Sequence, residues 1–208
     1  MSERTATRRR RAVPPRQRPA VTEGLTPRAR EIAARARELL EAEGAAGLSM
    51  RNLAARLGMR APSLYKHFPS KDAIEAVLIS IGFDEQAQLF QTALADSREP
   101  LVAMANIYRM WARRNPELYR LMYDRPLNRS LLIPGSEDAA AAPAIEAAGG
   151  DEDLARAAWA FAHGMTILEL NNRFGEGADL DVAWQRGIAA LQAAATVSAP
   201  PSGGATGR

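Results

Sequence analysis

The chain has 208 residues, no cysteine, 47% hydrophobic residues and a formal net charge of +3. That length suits one large domain or two small ones with a real core. The missing cysteine excludes disulfides, thiolate nucleophiles and cysteine-based zinc sites, and no apolar run approaches the ~18 residues of a membrane-spanning helix. The basic N-terminus is followed by no apolar stretch of the kind a secretory signal needs, so the composition is that expected of a soluble cytoplasmic protein without a membrane partner.

The charge is spread unevenly. Residues 1–25 hold seven Arg and two Glu, residues 26–75 nine basic and six acidic residues, and residues 76–208 eleven basic and sixteen acidic residues. A basic first third joined to an acidic body is the footprint of a nucleic-acid-binding end. GC-rich coding explains 25 Arg against 2 Lys but not the gradient.

In chain order, residues 1–25 (MSERTATRRRRAVPPRQRPAVTEGL) contain three prolines and no helical period, and read as a disordered Arg-rich arm. The arm is either a solvated tail or, through Arg8 to Arg11, a phosphate contact driven by counterion release. Thr26-Pro27 starts a first helix, with Ile32, Ala36, Leu39 and Leu40 on one face and Gly44 as its stop. Ser49 caps a second helix that buries Leu53, Ala54 and Leu57. Gly58 turns the chain, and a short third helix runs from near Ala61 to Phe68-Pro69. Ser70 caps a longer fourth helix with Ile74, Val77, Leu78 and Ile81 inward. Leu101 to Asn115 is periodic, and Pro116 opens a shorter helix to about Asp124.

Residues 125–149, broken by prolines and glycines around an Ala-rich run, read as a lid or a disordered loop. Asp151-Glu152-Asp153 favours a helix start through the helix dipole, and that helix extends to about Phe174. A last helix covers roughly Leu180 to Ala195, before a disordered tail at 198–208. With no period-2 alternation anywhere, the fold class is all-α: an N-terminal three-helix unit and a C-terminal helical bundle, about nine helices together.

Two helices joined by a tight glycine turn, the second short, make a helix-turn-helix pattern. Leu64 and Phe68 form the inward face of the short helix. Ala61, Pro62, Ser63, Tyr65, Lys66 and His67 are left outward. That face is small at its N-terminal end, where backbone can approach base edges in a ~12 Å major groove, and polar or cationic at its C-terminal end, which suits phosphate. An ordinary helical hairpin with a solvated face has the same spacing.

The stretch LSMRNLAARLGMRAPSLYKHFPSKDAI resembles the DNA-binding domain of the TetR family of bacterial transcriptional regulators. LYKHFPSKDAI is its most specific part, and the resemblance runs from about Thr26 to Val77. WAFAHGMTILELNNRF at Trp159–Phe174 and NPELYRLMYDRP at Asn115–Pro126 resemble the WHG-type C-terminal domain of one branch. The resemblance implies a helix-turn-helix domain over 26–75 and an effector-binding and dimerisation domain over 76–197. Thr26 and Ser49 would cap helices and touch phosphate, Arg51 would reach a base edge, and Ala61, Pro62 and Ser63 would face bases. Tyr65, His67 and Lys71 would meet phosphate, and Lys66 base or backbone. Arg60 stands where many members carry a capping Ser or Thr; Arg cannot cap in that way, so it is itself a DNA contact or the first amides find another partner.

The resemblance also implies a homodimeric repressor that binds a palindromic operator in double-stranded DNA and is released by a small-molecule effector. Candidate effector-pocket residues are Tyr108, Trp111, Tyr119, Met122, Tyr123, Trp159, His163 and Leu168. His163 is alternatively a core histidine held by Asn106, Glu169 or a carbonyl. Candidate dimer residues are Leu154, Ala158, Phe161, Ala162, Met165, Trp184, Ile188 and Leu191. No Ser/His/Asp signature, HExxH, Gly-rich phosphate loop, cofactor motif or metal cluster points to an enzyme. The rival reading is an architectural, largely sequence-nonspecific DNA binder acting through the Arg arm. Either would sit in the cytoplasm, on the nucleoid when DNA is bound.

Overall fold

Side-chain caps set where the N-terminal helices begin. Thr26 Oγ1 accepts from the amide of Ala29 and opens α1 (Pro27–Gly47), with Pro27 at a position whose missing N–H costs nothing. Ser49 Oγ accepts from Asn52 N and opens α2 (Met50–Arg56). Ser70 Oγ accepts from Ala73 N and opens the long α4 (Lys71–Asp96). Between α2 and α4 lies α3 (Ala61–Tyr65), which has no side-chain cap at Arg60, as the chemistry of Arg requires. The structure is a computed structural model that describes residues 20–197. Arg8 to Arg11 and the tail at 198–208 lie outside the described residues.

The α2–α3 turn is closed by backbone alone. Gly58 has φ +61°; its N–H donates to Ala55 C=O, and Met59 N–H donates to Ala54 C=O. This paired motif satisfies the last carbonyls of α2 and needs a residue that tolerates the left-handed region. Leu53, Leu64 and Phe68 are then buried with Ile32, Ala36, Leu39 and Leu40 of α1 and Ile74 and Leu78 of α4. The short helix thus rests on a core made mostly by its neighbours.

The body continues with α5 (Pro100–Arg114), α6 (Pro116–Tyr123), α7 (Ser136–Ala147), α8 (Glu152–Leu170) and α9 (Leu180–Val197). Every regular element among the described residues is helical. α4 runs unbroken from the N-terminal unit into the body, across the expected 75/76 boundary. It packs against α1, α5, α6 and α7, while α5 packs against α8 and α9.

Four expectations are corrected. The disordered arm does not reach residue 25: Val21–Gly24 form a 3-10 turn, Val21 is buried and its amide donates to Asp84 of α4. α3 ends at Tyr65, with Lys66 and His67 in the following turn. α8 ends at Leu170, with Asn172 at φ +49° just beyond it, rather than at Phe174. Residues 125–149 are not a disordered loop, the second of the two readings, since α7 occupies 136–147 with Pro143 inside it. Its acidic first turn at Glu137 and Asp138 suits the helix dipole, and its small residues let it lie close against α4.

Gly44 breaks α1, as its sequence position suggests, at φ +69°, but one more turn follows to Gly47. A Cβ at Gly44 would stand 3.2 Å from Glu117 Oε2 of α6, so α1 and α6 meet closely here. Beside it, Glu41 of α1 accepts from the amides of Glu117 and Leu118 with its two carboxylate oxygens, at 3.2 and 3.1 Å. Asn115, at the N-cap position of α6, makes no side-chain cap; the cap comes from α1. Arg37 ties the same place together, to Glu41 at 3.4 Å, Glu85 at 3.5 Å and Asn115 Oδ1 at 2.8 Å.

A Cβ at Gly58 meets no atom within 4 Å, so only backbone strain opposes substitution. Gly58→Ala is expected to cost about 1 kcal/mol, a fall of ~2–4 °C in melting temperature for a chain of this size. Thermal denaturation followed by circular dichroism checks it; an unchanged midpoint contradicts the role given to the turn.

Candidate nucleic-acid interface and body cavity

The exposed side of α2 and α3 gathers one kind of chemistry. Arg51, Arg60, Pro62, Tyr65, Lys66 and His67 are exposed, Ala61 and Ser63 half-buried. Tyr65 keeps 49% of its surface in solvent, unusual for a large aromatic that could pack. Arg51, Arg60 and Lys66 make no ion pair among the described residues, whereas the neighbouring Arg56 is held by Glu43. Unneutralised cations beside a short helix whose backbone is masked only by Ala, Pro and Ser make a surface ready for a polyanion.

Three residues expected there have internal duties. Thr26 and Ser49 cap helices, as described. Lys71 Nζ donates to Ala45 C=O at 2.8 Å and pairs with Glu75 at 3.3 Å, so it pins the start of α4 to the last turn of α1.

The body encloses a cavity of about 510 Å³, within the range of small-molecule sites. Phe83, Gln86 and Phe90 line it from one face of α4, Leu101, Met104, Ala105 and Tyr108 from α5, and Met122 and Tyr123 from α6. Ala140, Ala144 and Ile145 of α7 face them, with Ala158, Trp159 and Ala162 of α8 and Ile188 of α9. Sequence reasoning named no lining residue of the α4 and α7 walls. The i, i+3, i+7 spacing of Phe83, Gln86 and Phe90 was the available signal, a polar residue in the middle of an apolar face.

Of the expected pocket residues, Tyr108, Met122, Tyr123 and Trp159 line this cavity. Trp111, Tyr119, His163 and Leu168 do not. Trp111 donates from its indole to Glu85 at the joint with α1. Leu168 is exposed on the outer side of α8. Tyr119 and His163 stand behind the wall: Tyr119 is fully buried, its hydroxyl 3.1 Å from that of Tyr108 and 2.7 Å from His163 Nδ1. His163 is therefore held by a tyrosine, not by Asn106 or Glu169. Glu169 instead takes both arms of Arg109, which also reaches Asp181 and lies 5.4 Å from the Trp184 ring, locking α5, α8 and α9 together.

The expected dimer residues divide as well. Leu154, Ala162, Trp184 and Ile188 are buried inside the protomer, and Ala158, Phe161, Met165 and Leu191 are half-buried. Phe161 meets Trp184 edge to face at 5.7 Å. The outward surface of these helices is made by residues between them: Ala157, Ala160 and Leu168 on α8 and Val182, Ala183, Ala189, Ala190 and Ala193 on α9 are exposed, with Gly164 half-buried.

Comparison with known proteins gives matches in both parts. The family model described as bacterial regulatory proteins, tetR family, matches residues 32–76. The model described as tetracyclin repressor-like, C-terminal domain, matches residues 101–191. The HTH-type transcriptional regulator Rv1816 of Mycobacterium tuberculosis is 34% identical over 96 residues, 44% of this chain and 41% of that protein; the match thus spans less than half of the relative's length. A protein of unknown function from Rhodococcus sp. RHA1 shares 26% identity at a TM-score of 0.67, covering 80% of this chain and 93% of that one. The structure of SCO4313 has 25% identity and the same TM-score, covering 79% and 95%.

The Tyr–His chain has a pH signature. Burial lowers the His163 pKa from its ordinary 6.5, opposed by the charge of Asp124. The unfolded chain then binds a proton that the folded chain resists, so stability rises with pH in the interval below 6.5 and is lost as pH falls through it. Between about pH 7.5 and 5, the melting temperature of the native chain is expected to drop further than that of His163→Gln, which keeps an acceptor for Tyr119 but does not titrate. Parallel slopes in the two proteins would sink this account.

Proposed function

The chain belongs to the tetR family of bacterial regulatory proteins, and from that premise we propose that it is a sequence-specific repressor that binds a palindromic operator as a homodimer and is released by a small-molecule effector. The observation that carries the proposal is the surface built on α2 and α3: a five-residue helix seated on a borrowed core, with Arg51, Arg60 and Lys66 beside it making no ion pair among the described residues. Arg51 is the candidate for guanine O6 and N7, the commonest specific pairing in the major groove. Ala61 and Pro62 suit thymine methyl contact, and Tyr65, His67 and Lys66 suit phosphate.

A two-fold dimer makes the palindrome readable, because two recognition helices can then enter successive grooves. The outward faces of α8 and α9 support that assembly. Ala157, Ala160, Gly164 and Leu168 recur at helical spacing, and their small side chains permit close approach of a second copy. The residues of the same helices that fill the protomer core then keep that surface rigid.

The effector would act through α6. A ligand in the cavity leans on Met122 and Tyr123, and the first amides of the same helix are held by Glu41 of α1. Displacement of α6 therefore pulls on α1 and shifts the seat of α3. In thermodynamic terms this is a coupling free energy between two sites, carried by a shared element. The chemistry of the family is regulation, not catalysis.

Selection of genomic DNA fragments by purified protein at near-physiological salt tests the DNA arm of the proposal. One palindromic motif is expected for the native chain, and Arg51→Ala should lose about 1–3 kcal/mol on it and relax the position it reads. Fragments without a motif, bound with a steep salt dependence, would favour the architectural reading. For the coupling, Glu41→Ala is expected to keep operator binding while weakening its response to effector several-fold; an undiminished response in a fluorescence-anisotropy titration counts against Glu41 as the link.

A further inference from the structure

Gln86 lines the cavity and is 1% exposed. Its Oε1 accepts from the Tyr123 hydroxyl at 3.0 Å, while its Nε2 has no partner among the described residues. A buried amide nitrogen with free N–H groups, in the wall of a cavity, is costly unless something accepts from it. The surrounding wall offers nothing else of that kind. Phe83 and Phe90 flank it on the same helix face, and the Tyr108 hydroxyl is committed to Tyr119.

The cavity also discriminates on charge. Burial raises the pKa of Tyr108 well above its ordinary value and that of Tyr123 to about 12, so both phenols stay neutral. The ionic residues at the cavity lie at its solvent rim, and Arg129 and Arg156 are held in ion pairs there. Arg129 holds Glu137 through two bonds of 2.8 Å, and Arg156 pairs with Glu152 and Asp153. Arg125, also exposed, approaches Glu75 at 3.9 Å. Among the described residues the buried part of the wall carries no charged side chain, so an ionic ligand would lose hydration there without compensation.

Resting on the reading of this cavity as the effector site, we propose that its ligand class is a neutral, largely apolar small molecule with a ketone- or lactone-like oxygen that accepts from the Gln86 amide. The apolar skeleton lies along Phe83, Phe90, Met104 and Trp159, and the oxygen sits at the α4 side.

The test uses the full chain and four probes on one ten-carbon skeleton: a methyl ketone, the alkene in which C=O becomes C=CH2, decanoate and decylammonium. Binding is measured by calorimetry and by quenching of Trp159 fluorescence, in the native chain and in Gln86→Leu. The ketone is expected to bind more tightly than either ion. Gln86→Leu should weaken the ketone about tenfold and leave the alkene unchanged or tighter. An equal loss for ketone and alkene, or tighter binding of decanoate or decylammonium than of ketone, overturns the proposal, as does failure of all four to bind. If Gln86→Leu does not fold, the order of the four probes on the native chain still decides the charge class, and Gln86→Glu, which keeps the acceptor for Tyr123 but loses the N–H, decides the donor: ketone binding should again fall. Ketone binding that follows these expectations without changing operator affinity leaves this inference standing and removes the effector-release mechanism instead.

Discussion

The helix α6 begins without a cap of its own. Pro116 starts it and Asn115 does not close it, so its leading amides depend on Glu41, a residue 76 positions away on α1. Free amides at a helix start and a carboxylate are complementary in hydrogen bonding and in sign. Glu41 cannot turn away without exposing that complementarity, and Arg37 restrains it by bridging to Glu85 of α4 and Asn115. Gly44 lets the Glu117 carboxylate approach α1 closely beside these contacts. Position of the DNA-facing unit relative to the body is thus set by a few partly buried polar contacts on top of apolar packing. Such a joint is specific in geometry and modest in strength.

The body divides its aromatic residues between support and lining. Tyr108 and Tyr123 line the cavity, while Tyr119 and His163 lie behind them, joined by hydroxyl contacts and ring contacts, Tyr119 tilted against Tyr123 at 4.9 Å and stacked on His163. A wall braced in this way is preformed, so a ligand need not order it. From α7 come Ile145 and three alanines, and the small volume of the alanines helps to leave the cavity open. Where α4 carries Phe83 and Phe90, α7 carries Ala140 and Ala144; a large residue at either alanine would fill the space between.

Local signals made the N-terminal unit legible. Thr26, Ser49 and Ser70 sit at helix starts where their oxygens can serve only the next turn, Gly58 occupies a conformation that side chains resist, and the apolar spacing of Ile32 to Leu40 and Leu53 to Leu64 leaves one solution for what is buried. The body was legible only in part. α7 escaped because Pro and Gly signal breaks locally, while helix formation over 136–147 is decided by packing on α4 and by the acidic first turn. Trp111 and His163 carry the same aromatic and polar chemistry as Tyr108 and Trp159, yet one anchors a joint and the other braces a wall. The dimer candidates fail to separate for a related reason: apolar positions three or four apart mark a helix face, but not whether that face meets its own protomer or another.

What the sequence determined alone is everything that acts within about one helical turn or one hydrophobic period: the all-α class, the caps of α1, α2 and α4, the glycine turn, the short exposed helix and the gradient of charge. What the tertiary structure decided is every property that needs two distant segments at once. The cap of α6 by Glu41, the choice of which aromatics face the cavity, the unpaired amide of Gln86 and the outward faces of α8 and α9 each depend on distances between residues tens of positions apart. Periodicity fixes the direction a side chain takes from its own helix axis; only packing fixes what stands at the other end.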